Sequence, residues 1–225
     1  MPAQLRLECA IIPASRAVMP SSPPRIYLAS TSPRRRELLR QIGVHFEVLT
    51  FRGGERGDDA DVDETPLPNE AVEHYVERVA LTKAEAGWRR VHWRKLPRRP
   101  VLAADTTLEL DGEIIGKPRD IADARAILAR LSGRSHRVLT AIAVSDGTHI
   151  RSSLSVSDVR FRILSDDDIR HYVLSGEPMD KAGAYGIQGK AAIFIEEIRG
   201  SYSAIMGLPL FETAQLLEEG FGYAL

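Results

Sequence analysis

A chain of 225 residues, 44% hydrophobic and 27% charged, can bury a substantial core and admits one large domain or two lobes. Thirty basic against 31 acidic side chains leave a net charge of −1, so no overall positive field marks a nucleic-acid partner. The single cysteine, Cys9, excludes an internal disulfide framework and any cysteine-rich zinc site, which fits a reducing cytoplasm, and no apolar run approaches the length of a membrane span. Residues 1–24 are expected to be a disordered extension. Glu8, Pro13 and Arg16 interrupt the apolar centre that a secretory signal needs, and Met19 is an equally good natural start. The remainder, residues 25–225, is expected to form a single domain.

The first structured stretch reads RIYLASTSPRRRELLRQIG over residues 25–43. Ile26 to Ala29 predicts a buried strand. Pro33 suits a first helical turn, Leu38, Leu39 and Ile42 recur at helical spacing, and Gly43 suits the stop. Unpaired backbone N–H groups then point out where Ser30, Ser32, Arg34 and Arg35 cluster. That is a ready anion site suited to phosphate, against the plainer reading of a helix cap with solvated arginines.

A second strand follows at residues 46–49, then a polar, acidic loop at 53–68. Asn69 is placed to cap a helix whose apolar stripe, Val72, Val76 and Val79, continues to Lys83. Lys83 therefore faces the core side or a cleft, unless it snorkels near a helix end. Residues 88–99 form a basic, aromatic-containing connection that reads as a solvated surface loop in preference to a nucleic-acid site, because the chain as a whole carries no positive excess.

Residues 101–104 predict a buried strand ending at Asp105. The stretch 108–115 is a hairpin about Asp111-Gly112, a pair that supplies the positive φ of a type I′ turn. Counting back from the turn sets Thr106 opposite Lys117, so Asp105 and Lys117 are expected to meet at the open end of the hairpin. A helix at 122–131, a strand at 138–144, an Asp146-Gly147 turn and a further strand follow. Leu154 and Val156 are out of phase with Val159 and Phe161, which suggests a bulge. Ser165 and Asp168 form a capping box for the next helix. Gly183, Gly186 and Gly189 precede a strand, and a helix closes the chain. Helices alternating with hairpin-paired strands give an α/β fold with a mixed, twisted, elongated sheet and flanking helices.

Several chemical patterns can be set aside. Asp59, Asp61, Asp63 and Glu70 match positions of an EF-hand loop, but Glu64 stands where that loop requires glycine, and Pro66 and Pro68 stiffen it. Glu64 remains either a magnesium carboxylate or part of a solvated loop. The segment GAYGIQG is no dinucleotide fingerprint, since a strand follows it. Its glycines allow close approach of a base or sugar, or simply tight turns. The six histidines lack metal-binding spacing, and Ser201 and Ser203 lack the nucleophile elbow of acyl transfer.

The motifs LASTSPRRRELL, VDET, LAADTTLELDGEIIGKPRD, LSGRSHRVLTAIAV, DKAGAYGIQG and GSYSAIMGLPLFET, in this order, resemble the Maf family of nucleoside triphosphate pyrophosphatases across about residues 25–219. The resemblance implies a fold like that of inosine triphosphate pyrophosphatases, with a cleft between two lobes. It also implies hydrolysis of a nucleoside triphosphate to the monophosphate and pyrophosphate with a divalent cation, Mg²⁺ or Mn²⁺, and a homodimer. By matching motif, Asp105 corresponds to the catalytic base, and Ser30, Arg34, Arg35, Glu64, Lys83 and Lys117 correspond to the cleft lining. The branch acting on dTTP and UTP carries Arg, Thr and Gln at three specificity positions, which read here Arg34, Thr106 and Gln188. In the 7-methyl-GTP branch a tryptophan replaces that arginine and both other motifs are altered.

The chemistry of these residues agrees with the resemblance. Arginines and lysines neutralise a triphosphate, while Asp105 and Glu64 are hard oxygen ligands for a divalent cation. The competing class is a nucleotide- or nucleic-acid-binding regulator of cell division that does not hydrolyse. The joint presence of Asp105, Lys83 and Lys117 favours the enzyme, since binding alone needs only the cations.

Overall fold

The computed structural model describes residues 25–50 and 62–223. The expected extension, residues 1–24, and the part of the acidic loop holding Asp59 and Asp61 lie outside the described residues. One seven-stranded mixed sheet organises the rest. Strand β1 (Arg25–Leu28) pairs in parallel with β2 (His45–Val48) and β3 (Val101–Leu110). Strand β3 pairs antiparallel with β5 (Ser135–Ser145), which continues to β6 (Ile150–Phe161) and β7 (Ile195–Arg199), and β4 (Glu113–Ile115) folds back on β3. The helices are α1 (Pro33–Gln41), α2 (Val72–Trp93), α3 (Ile121–Leu131), α4 (Asp166–Leu174), α5 (Tyr202–Ile205) and α6 (Leu210–Phe221).

Helices cover both faces. Val76, Val79, Ala80 and Ala84 of α2 pack on Val101, Ala103, Ala141 and Ala143. The opposite face carries two clusters. Leu38 and Leu39 of α1 and Leu217 of α6 join Leu28, Leu102, Ala104 and Ile142. Leu128 and Leu131 of α3 and Ile169 and Val173 of α4 join Leu108, Leu110, Val138 and Phe161. Along β3 the even positions thus pass from one cluster to the other, and the residue between them is Thr106, paired across the sheet with Thr140. Two cores on one face with a polar interruption make two lobes and a cleft.

The expected α/β class, the hairpin and the capping box of α4 are present. Asp111 and Gly112 take φ of 56° and 82°, and Ser165 and Asp168 exchange both capping bonds. Four local expectations are corrected. The strand expected to end at Asp105 runs on unbroken to Leu110, because burial on both faces removes any polar stop. Strand β6 pairs with β5 without a register shift, and the irregularity it does carry lies on its other edge, against β7 between Arg160 and Phe161. Its apparent change of phase arises because Ser155 and Ser157 point inward beside Val159 and Phe161, while Leu154 packs on the α2 side. Asn69 does not cap α2; it takes φ of 58° in the preceding turn, and Ala71 occupies the cap position. Residues 88–93 are not loop but the last turns of α2, with Arg90 only 2% exposed, since no proline intervenes before Pro97.

Candidate active site

The cleft opens on a gap in the edge of β3. Strand β1 pairs with it only as far as Leu102 and β4 only from Leu108, so residues 103–107 are paired to β5 alone. Around this open edge lies a cleft of about 950 Å³, large enough for a nucleotide. Every sequence-derived candidate lines it: Ser30, Arg34, Arg35, Glu64, Lys83, Asp105, Thr106, Lys117 and Gln188.

Strand alternation sends Asp105 towards α2 and Thr106 to the other face. On the α2 side, the stripe that buries Val72, Val76 and Val79 delivers Lys83 to the cleft, which settles its two readings. Its Nζ lies 2.7 Å from Asp105 Oδ1 and 2.7 Å from Glu64 Oε1. The Tyr75 hydroxyl donates to the Glu64 carbonyl oxygen at 3.0 Å and ties that segment to α2. Burial, reinforced by the charges of Asp105 and Glu64, pushes the Tyr75 phenol up to about 12. Two carboxylates share one ammonium, so this wall keeps a negative excess.

The opposite wall is the start of α1, with Pro33 in its first turn. Its two arginines differ. Arg35 is a cross-link: Nε donates to the Gly207 carbonyl at 2.8 Å, Nη1 to Ser30 Oγ at 3.2 Å and Nη2 to Thr106 Oγ1 at 3.2 Å. Burial lowers its pKa from the ordinary value, and the Asp105 charge opposes that shift. Arg34 forms no hydrogen bond or ion pair with the described residues, which leaves its guanidinium for a ligand.

Proton counting fixes what the two hydroxyls can do. Ser30 Oγ already accepts from Arg35 and from the Ser32 N–H at 3.2 Å, so its hydrogen is what it presents to a ligand. Thr140 Oγ1 sits 2.7 Å from the Ala204 carbonyl oxygen, and only the threonine can supply the proton there. The 3.0 Å contact between Thr140 and Thr106 must then be filled by the Thr106 proton. Thr106, accepting from Arg35 as well, offers the cleft only a lone pair.

The second lobe contributes Lys117 and Gln188, both exposed and both without a hydrogen bond to the described residues. The hairpin register continues as counted, with Leu108 opposite Ile115, but the ladder stops there. Lys117 shares the cleft with Asp105 and forms no ion pair with it; the partner of Asp105 is Lys83.

A family model described as Maf-like protein matches residues 25–220. The chain belongs to the Maf family. Its relatives include the dTTP/UTP pyrophosphatase of Aromatoleum aromaticum, 76% identical over 201 residues, covering 89% of this chain and 97% of the relative. The dTTP/UTP pyrophosphatase of Dechloromonas aromatica is 60% identical over 86% of this chain and 96% of its own. That of Chromobacterium violaceum is 54% identical over 92% and 100%.

Sequence reasoning missed several residues of this Maf cleft. Lys181 donates to the Glu177 carbonyl at 2.6 Å and to Asp180 at 2.5 Å, and both Lys181 and Asp180 line the second lobe. Their signal was the DK preceding the glycines. Gly207, Tyr75 and Thr140 act through long-range contacts that no local pattern announces. For a divalent cation, Asp105 and Glu64 could serve as oxygen donors, since Lys83 holds the two carboxylates together. Among the described residues no cluster of three or more His, Cys, Asp or Glu forms. One or two carboxylates completed by substrate phosphates are how Mg²⁺ is usually held, so the pair fits a cation that arrives with the triphosphate.

Proposed function

We propose that this Maf protein hydrolyses dTTP and UTP to the nucleoside monophosphate and pyrophosphate, a role in cleaning the nucleotide pool. The observation that carries the reading is one cleft facing an anion-binding helix start with a Lys83-bridged carboxylate pair. The names of the relatives at 54–76% identity support the pyrimidine choice, as does the set Arg34, Thr106 and Gln188.

In this reading Ser30, Arg34 and Lys117 take the phosphate oxygens, with the α1 N-terminus behind them. Thr106, an acceptor only, repels a phosphate oxygen and suits an N–H or O–H of the nucleoside, such as the imide of thymine or uracil. Gln188 supplies an amide from the other lobe. Asp105 is the base. Its Oδ1 is held by Lys83, while Oδ2 has no hydrogen bond from the described residues and accepts the proton of the attacking water. The water oxygen bonds to the α-phosphorus, the bond to the β-phosphate bridging oxygen breaks, and pyrophosphate leaves with that electron pair. Asp105 and Glu64 would hold Mg²⁺ or Mn²⁺, which when bound neutralises phosphate charge. Lys83 bridges the two carboxylates and fixes their spacing.

The same reading takes residues 25–225 as one domain working in the cytoplasm, as a homodimer. No helix of the described residues is long and apolar enough to cross a membrane. The test is a nucleotide panel with divalent cation, scored by pyrophosphate release. dTTP and UTP should give the highest kcat/KM. A preference for purines or 7-methyl-GTP would overturn the substrate assignment.

A further inference from the structure

The glycines of GAYGIQG have a neighbour that the chemistry above does not use. Glu177 opens the 3₁₀ turn Glu177–Asp180 and extends its carboxylate beneath the turn at residues 186–189. The Lys190 N–H donates to both carboxylate oxygens at 3.1 Å, and the Tyr172 hydroxyl donates to Oε1 at 3.0 Å. That hydroxyl in turn accepts the Gly186 N–H at 3.2 Å. The turn closes on itself through Gly189 N–H to the Gly186 carbonyl at 3.0 Å. Both ends of the segment carrying Gln188 are therefore tied to one phenol–carboxylate pair, whose phenol is rooted in α4.

Space supports the same assignment. A Cβ at Gly189 would lie 2.0 Å from Glu177 Oε1, and one at Gly186 would lie 2.9 Å from Lys181 Cε. Close approach is required here, and the approaching groups are Glu177 and Lys181. Gln188, by contrast, is exposed to the cleft and has no hydrogen bond to the described residues. Its position is set by its backbone alone. An untethered glycine-rich turn would have to be ordered by the ligand, and that ordering weakens binding.

We propose that Glu177, acting with Tyr172, is the positioning residue that holds Gln188 towards the nucleotide. The inference rests on the reading that Gln188 contacts substrate. A kinetic cycle on the full chain with dTTP separates the two ideas. Gln188→Ala should lower kcat/KM about tenfold, the worth of a lost hydrogen bond, and Glu177→Ala roughly fivefold, mainly through KM. In the Gln188→Ala background, Glu177→Ala should cost less than about twofold, because its effect passes through Gln188. The same loss from Glu177→Ala in both backgrounds would overturn the positioning role and leave Gln188 in place. Parent kinetics for Gln188→Ala would remove both ideas. Tyr172→Phe, which keeps the ring against Phe194 at 5.3 Å between centroids, runs the same cycle if Glu177→Ala does not fold.

Discussion

The two arginines that begin α1 should separate cleanly under mutation. Arg35 makes three hydrogen bonds, at 2.8, 3.2 and 3.2 Å, joining α1 to Ser30 beyond β1, to Thr106 on β3 and to Gly207 after α5. A hydrogen bond from a charged donor contributes about 1.5–3 kcal/mol. Two of these three are long, and burial of the guanidinium offsets part of the gain. Arg35→Ala should therefore destabilise the protein by about 2–4 kcal/mol, short of the sum. For a chain of this size each kcal/mol moves the melting temperature by roughly 2–4 °C, so a drop of roughly 4–16 °C is expected. Arg34→Ala removes no bond to the described residues and should melt within about 2 °C of the parent. Its cost should appear in catalysis instead, as a loss of about 10- to 100-fold in kcat/KM for dTTP, matching one charged contact to phosphate. Calorimetry and steady-state kinetics on both variants decide the matter. If Arg35→Ala melted like the parent, or Arg34→Ala lost as much stability as Arg35→Ala, the division into cross-link and clamp would be wrong.

Asp105→Asn keeps the shape and one oxygen for Lys83 while removing the basic carboxylate, so turnover should fall by about 10²-fold or more with melting within a few degrees of the parent. Near-normal activity in that variant would end its assignment as base. His136 is buried against Tyr185 and Phe161, and burial alone lowers its pKa from 6.5 to about 4. The folded form thus takes up its proton later than the unfolded chain. The stabilisation is complete above pH 6.5, declines as pH falls, and is gone below about 4, a span of about 3 kcal/mol. Denaturant titrations of parent and His136→Gln from pH 7 to 4 should show the variant with the shallower loss, and parallel curves would contradict this.

Local chemistry made much of the molecule legible. Pro33 after a serine-rich turn, the apolar stripe leading to Lys83 and the Asp111-Gly112 turn all fix backbone geometry within a few residues, and each stands where it was expected. The misses share a physical cause. Strand β3 is buried on both faces, so no alternation shows that it runs through Asp105. Ser155 and Ser157 face inward and imitate a change of phase. The differing roles of Arg34 and Arg35 depend on Gly207, 172 residues from Arg35, and the polarity of Thr106 depends on Thr140 and Ala204. Such contacts arise only when the lobes assemble.

Attack of water at the α-phosphorus of a pyrimidine triphosphate is most directly tested by digesting dTTP in ¹⁸O-water with Mg²⁺ and analysing the products by ³¹P NMR and mass spectrometry. The expected products are dTMP carrying one ¹⁸O and unlabelled pyrophosphate, with no dTDP. Formation of dTDP and orthophosphate, or ¹⁸O found in the pyrophosphate, would contradict it.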